Sequence, residues 1–201
     1  LKGEKILNSI GALHHFKNKN NQKQYSNQIK SKLVSCIIGG ENNHYIFTIK
    51  ETRELIIKIK ELKNKNSNLE FLVITSRRTG SKIKELLSNE LNQIAKLWLG
   101  EGKNPYEFAL YNSKYFIITS DSTSMISEAS ISGKPIYVFQ LPFKRKSIRF
   151  ERFHSEFKRF NITRDLVATN ELENWSYEKL DESKRIAGII KERIIERSNE
   201  S

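Results

Sequence analysis

The sequence predicts an α/β fold, a Rossmann-like parallel sheet with helices on both faces. Three observations carry that expectation. Five short apolar runs lie between residues 33 and 140. Segments with apolar residues at helical spacing separate them. Four consecutive runs are followed by glycines, hydroxyls or arginines, as strands feeding crossover helices can be.

Leu33-Val34-Ser35-Cys36-Ile37-Ile38 is the first run, ended by Gly39-Gly40, and reads as a strand buried on both faces. Thr48-Ile49-Lys50-Glu51 has the capping-box spacing and opens a helix carrying Ile49, Leu55, Ile56, Ile59 and Leu62. A second strand spans 69–75, a second helix 82–91, and a third strand 94–99, stopped by Gly100. Asn104-Pro105 starts a short helix, with proline near the first turn, where a missing N–H costs least. A fourth strand spans 115–119, a helix 125–131, and a fifth strand 135–139. Two more helices are expected over 147–160 and 181–197. Residues 5–12 have the composition of a lone short strand, and the basic, aperiodic stretch 17–32 reads as a linker.

A chain of 201 residues suits one domain of ordinary to large size and needs no staples. Its single cysteine, Cys36, excludes a disulfide scaffold and a multi-cysteine zinc site. His14, His15, His44 and His154 lack metal-ligand spacing, so no metal is expected. The longest apolar runs are about five residues, far from the roughly 20 that span a bilayer. The expected location is cytoplasmic, or peripheral at a membrane. The net charge of +12 comes from 24 lysines and 11 arginines. A lysine- and asparagine-rich background raises pI everywhere without building a site, yet it favours anionic ligands.

In an open parallel sheet, ligands bind beyond the carboxyl ends of the strands. Those ends carry Gly39-Gly40, then Ser76-Arg77-Arg78, then Gly100-Glu101-Gly102-Lys103-Asn104, then Ser120-Asp121-Ser122-Thr123-Ser124. Four such loops on one edge make a candidate anion site. Gly39 and Gly40 let a ligand approach the backbone. Arg77 and Arg78 offer forks suited to a diphosphate, or form a plain surface pair. Ser122-Thr123-Ser124 opens a helix, so hydroxyls and free N–H groups there can hold an anion; simple N-capping is the other reading. Glu128, one turn further on, can accept the two hydroxyls of a ribose or merely complement the helix dipole.

No GxGxxG, GxxxxGK[ST] or GxSxG motif occurs, so hydride-transfer, kinase and α/β-hydrolase readings lack their signatures. Residues 143–154 mix aromatics with basic residues, as RNA binders do. Phe150, Phe153, Phe157 and Phe160 fall at helical spacing, however, and a core stripe with solvated basic neighbours is the better reading.

Taken together, Gly39-Gly40…His44-Tyr45, Thr75-Ser76-Arg77-Arg78-Thr79, Gly100-Glu101-Gly102…Asn104-Pro105-Tyr106, Thr119-Ser120-Asp121-Ser122…Ser124-Met125-Ile126-Ser127-Glu128-Ala129 and Gly133-Lys134-Pro135 resemble the mitochondrial fission ELM family. Arg152-Phe153-His154 and Trp175-Ser176-Tyr177 extend the match, which covers residues 6–195. Bacterial members carry the label of predicted nucleoside-diphosphate-sugar epimerase, and the family is similar to glycosyltransferase-B enzymes. The resemblance implies the carboxyl-terminal half of that architecture, binding a nucleoside-diphosphate sugar, UDP-linked by preference, with no further cofactor. It implies phosphates on Ser122 and Ser124 and ribose on Glu128, with Gly39, Gly40, Ser76, Arg77, Arg78, Gly102, Asn104, Ser120, Asp121 and Met125 around them. It also implies that residues 1–16 end a first domain, that 17–32 link it to the nucleotide-sugar domain at 33–201, and that the acceptor side lies in that first domain. Where relatives usually have Gly-Ala-Pro-His, this chain has Gly11-Ala12-Leu13-His14.

Two other functions remain open on sequence alone. One is a non-catalytic adaptor that recruits a protein partner, a membrane surface or a second copy. The other is RNA binding through 143–159, disfavoured by the core stripe. No residue is placed by motif as a catalytic base, His44 being the nearest candidate, so this chain by itself is expected to bind without turning over.

Overall fold

The computed structural model describes residues 6–16 and 32–199. Its elements follow the expected alternation: β1 (Leu33–Ile38), α1 (Ile49–Lys65), β2 (Glu70–Thr75), α2 (Ser81–Leu91), β3 (Ala95–Trp98), α3 (Tyr106–Asn112), β4 (Ser113–Thr119), α4 (Thr123–Ser130), β5 (Ile136–Phe139), α5 (Ile148–Arg159), β6 (Thr163–Asp165) and α6 (Glu182–Asn199). They form one six-stranded sheet, ordered β3-β2-β1-β4-β5-β6, with every pairing parallel. The chain runs outward from β1 through β2 to β3, then returns to the other side of β1 as β4. Cys36 accordingly sits opposite Val73 on one side and Ile117 on the other. The order reverses between β1 and β4, which is where open α/β sheets leave a crevice.

Period-two alternation divides the strand side chains between two cores. Val34, Cys36 and Ile38 join Phe71, Val73, Tyr115 and Ile117 under α1 and α2, with Leu55, Ile59, Leu62 and Leu87 fully buried. Ile37, Phe116, Ile118 and Val138 face the other way, against Leu110 of α3, Ile126 and Ala129 of α4, and Phe153 and Phe157 of α5. The capping box at α1 is formed: the Thr48 hydroxyl accepts from the Lys50 N–H at 3.2 Å, and Glu51 Oε2 accepts from the Thr48 N–H at 2.8 Å. The lone thiol of Cys36 is fully buried, and burial pushes its pKa up, so it is a core residue.

Several expectations need correction. Strand β6 has no apolar run to announce it, because Thr163-Arg164-Asp165 is a three-residue edge paired on one side only. Residues 6–12 form no strand. They cross the helical layer, where their amides find side chains rather than a sheet edge. The Ile10 N–H donates to Glu182 Oε2, the Ala12 N–H to Ser127 Oγ and the His14 N–H to Ser183 Oγ, each at 2.9 Å. Phe160 ends the α5 stripe outside the core, 38% exposed beneath the Arg159 guanidinium, while Phe153 and Phe157 are buried. The linker assigned to 17–32 lies, but for Lys32, outside the described residues. No described helix is long and apolar enough to cross a membrane.

Candidate functional site at the switch point

The loops after β1, β2 and β4 meet at the reversal of strand order, and Asp121 ties them together. Its side chain is fully buried and accepts from the Gly40 N–H at 3.0 Å, the Thr119 hydroxyl at 2.6 Å and Arg78 Nη2 at 2.7 Å. Burial pushes its pKa up against the pull of those donors, with Thr119 and Gly40 ahead of the Arg78 charge. The Gly39 N–H donates to Thr119 Oγ1 at 2.8 Å. Thr79, buried behind β2, donates to the Gly39 carbonyl at 2.5 Å.

The two glycines are explained by this contact. A Cβ on Gly39 would lie 2.1 Å from Asp121 Oδ2, and one on Gly40 would lie 2.2 Å from the Arg78 carbonyl oxygen. What approaches the glycine backbone in the structure is therefore the Asp121 carboxylate and the β2 loop. Ser76 turns that loop, its Oγ accepting from the Arg78 N–H at 3.1 Å. Arg78 keeps 41% of its side chain exposed while paired, and Arg77 is exposed beside it. Ser120 is buried, its Oγ accepting from the Leu141 N–H at 2.9 Å, so it holds the segment that follows β5.

The start of α4 is the open part of the site. Ser122 is its N-cap, accepting from the Met125 N–H at 3.4 Å, and Ser124 is exposed on the first turn. Glu128 accepts a short hydrogen bond from the Tyr106 hydroxyl. Burial, then the Glu128 charge, pushes the Tyr106 pKa far up, so the phenol stays protonated and donates. Just before α3, Asn104 Oδ1 accepts from the Tyr106 N–H at 2.9 Å. Gly102 is exposed at φ +70° with open space around it, and it shares only the sheet edge with the rest.

On the opposite side of the β4 loop, His154 Nε2 lies 3.0 Å from the Ser120 carbonyl and 3.2 Å from the Tyr45 hydroxyl. Burial lowers its pKa, so the ring is neutral and donates to Ser120. Burial also pushes the Tyr45 phenol up to about 12. Thr79, Thr119, Tyr106 and His154 stand within the motifs quoted from the sequence without a role there, and the structure makes them partners of Gly39, Asp121, Glu128 and Ser120. No group of three or more potential metal ligands occurs among the described residues.

The family model described as Mitochondrial fission ELM1 matches residues 1–194. The chain belongs to this family. An uncharacterized protein of Rickettsia prowazekii (strain Madrid E) is 33% identical over 193 residues, 92% of this chain and 52% of the relative. The mitochondrial fission protein ELM1 of Arabidopsis thaliana is 29% identical over 128 residues, 62% of this chain and 30% of that protein. The chain thus spans about half the length of the first relative and less of the second. Among solved structures, UDP-GlcNAc 2-epimerase from Neisseria meningitidis bound to UDP-GlcNAc aligns with a TM-score of 0.43 and 16% identity, over 80% of this chain and 36% of that one. For this ELM1-family chain, the Rossmann-like fold rests on the sheet itself.

Proposed function

We propose that this chain is the nucleotide-sugar-binding half of a glycosyltransferase-B-like protein, taking a UDP-sugar at the carboxyl edge of the sheet. The observation that carries the reading is the Tyr106–Glu128 pair beside the α4 start. A carboxylate one turn into the helix, held by a phenol, is set to accept ribose hydroxyls. The diphosphate would then lie over the Ser122–Ser124 turn, where free amides and the helix dipole favour negative charge, with Arg78 supplying the remaining open cationic surface. The reaction proposed for the whole protein is glycosyl transfer. Among the described titratable groups at this site, Asp121 is locked by three donors, Glu128 is held by Tyr106 and His154 faces Ser120. Donor binding is accordingly the role proposed for this chain.

Calorimetric titration of UDP into wild type and Glu128→Gln tests the reading. Losing a bond to a charged acceptor costs about 1.5–3 kcal/mol, or about 10–150-fold in affinity. Equal affinity in the two proteins would remove the ribose assignment.

A further inference from the structure

A cavity of about 570 Å³ lies at the α4 start, between residues 8–13 and the α5 face that carries Ile148, Arg149, Arg152, Phe153 and Glu156. That volume is in the range that holds a small ligand. Its wall is built rather than accidental. Gly11 sits so close to α4 and α5 that a Cβ there would meet Ser127 Oγ at 2.8 Å and Phe157 Cζ at 3.1 Å. The buried Ser127 and Glu182 then hold the amides of Ala12 and Ile10. The segment is thereby fixed over α4 with Thr123 on the cavity lining.

The cavity is lined by two cations and one carboxylate. Arg149 and Arg152, a helical turn apart on α5, both line it. The carboxylate on the same wall, Glu156, is turned to Arg159 at 2.8 Å. Arg149 also lies over the Phe150 ring at 5.8 Å, while Arg152 is exposed. Phe153 and the 84% exposed Ile148 give the cavity an apolar side. Two guanidinium forks, a hydroxyl and an apolar wall suit a sugar-sized polyol that carries an anionic group.

We propose that this cavity is a second binding site, taking a saccharide bearing a phosphate or a carboxylate, with Arg149 and Arg152 on its anionic group. Its position past Thr123 places such a saccharide beside the proposed diphosphate turn at Ser122–Ser124. It deepens the nucleotide-sugar reading by naming an anionic sugar as the second ligand class, and rests on that reading for the neighbouring nucleotide.

The test is calorimetry with glucose 6-phosphate, glucuronate and neutral glucose, each titrated into wild type, Arg149→Gln/Arg152→Gln and Glu128→Gln. Lys146→Gln/Lys158→Gln, which removes the same charge from exposed positions nearby, controls for general electrostatics. The expected result is that glucose 6-phosphate or glucuronate binds wild type more tightly than glucose, and that the arginine pair variant loses at least 10-fold. Glu128→Gln and the lysine variant stay within about two-fold for these ligands. Which anionic sugar binds separates a phosphate from a carboxylate ligand. A thermal unfolding midpoint matching wild type shows that the arginine variant is folded; if it is not, Arg152→Lys replaces it and is expected to bind more weakly by losing the fork. No binding of either anion by wild type, or equal loss in the lysine variant, overturns the proposal. UDP binding is read in the same proteins. Its absence alongside sugar-phosphate binding would strike the nucleotide reading and leave this cavity standing.

Discussion

Arg78 Nη2 lies 2.7 Å from Asp121 Oδ2, joining the loop after β2 to the loop after β4 across the end of β1. The carboxylate is fully buried and the arginine 41% exposed, so the pair is anchored on the Asp121 side. The shape of the switch point depends on this carboxylate, because Gly40 and Thr119 bind it too.

Asp121→Ala should therefore destabilise the fold by about 1.5–3 kcal/mol, the range for hydrogen bonds to a charged group, with solvent around Arg78 keeping it from the upper figures for fully buried pairs. Urea unfolding checks this through a lower midpoint at unchanged slope. A Gly39→Ala protein should fare no better, since its Cβ would meet the Asp121 carboxylate.

Acid stability should report on His154. Burial lowers its folded pKa below the ordinary 6.5. The unfolded chain then binds more protons in the window below about 6.5, so stability falls as pH drops through it. His154→Gln should flatten this part of the pH–stability curve. An unchanged slope between pH 7 and 5 in the variant would assign the loss elsewhere.

Gly11→Ala should loosen residues 8–13 from α4 and α5. Overpacking of this kind costs about 1–3 kcal/mol where the neighbours cannot give way. Amide exchange at Ala12, whose N–H is held by Ser127, should speed up in the variant while β1 amides keep their protection.

Tyr106 is a positioning residue for Glu128. Tyr106→Phe removes one hydrogen bond to a carboxylate, worth about 1.5–3 kcal/mol, and should weaken UDP by at most that amount, about 10–150-fold. Inorganic diphosphate, which has no ribose, should bind Tyr106→Phe and wild type equally. Equal loss for both ligands would mean that the substitution merely disturbs α3.

The fold was legible where its cause is local. The capping box at Thr48, the glycines after β1 and the apolar runs of both cores each state their structure within a few residues. What depends on strand order was not. Nothing in the sequence says that β4 returns beside β1, so Asp121 reads as a residue of the open edge, although it fills the gap against Gly39 and Gly40. Glu128 is legible as a carboxylate one turn into a helix, but its partner Tyr106 lies 22 residues away and meets it only through packing. Residues 6–12 have strand-like composition and no sheet edge to join, and β6 has an edge and no apolar run.

The most direct test of nucleotide binding at the carboxyl edge is a titration of isotope-labelled protein with UDP, read by backbone amide chemical shifts. The largest changes should fall at Gly40, Arg78, Ser122–Met125 and Glu128, and Glu128→Gln should shrink them at equal ligand concentration. Changes centred instead on the β6 edge of the sheet, around Arg164, Thr169 and Asn170, would contradict the account.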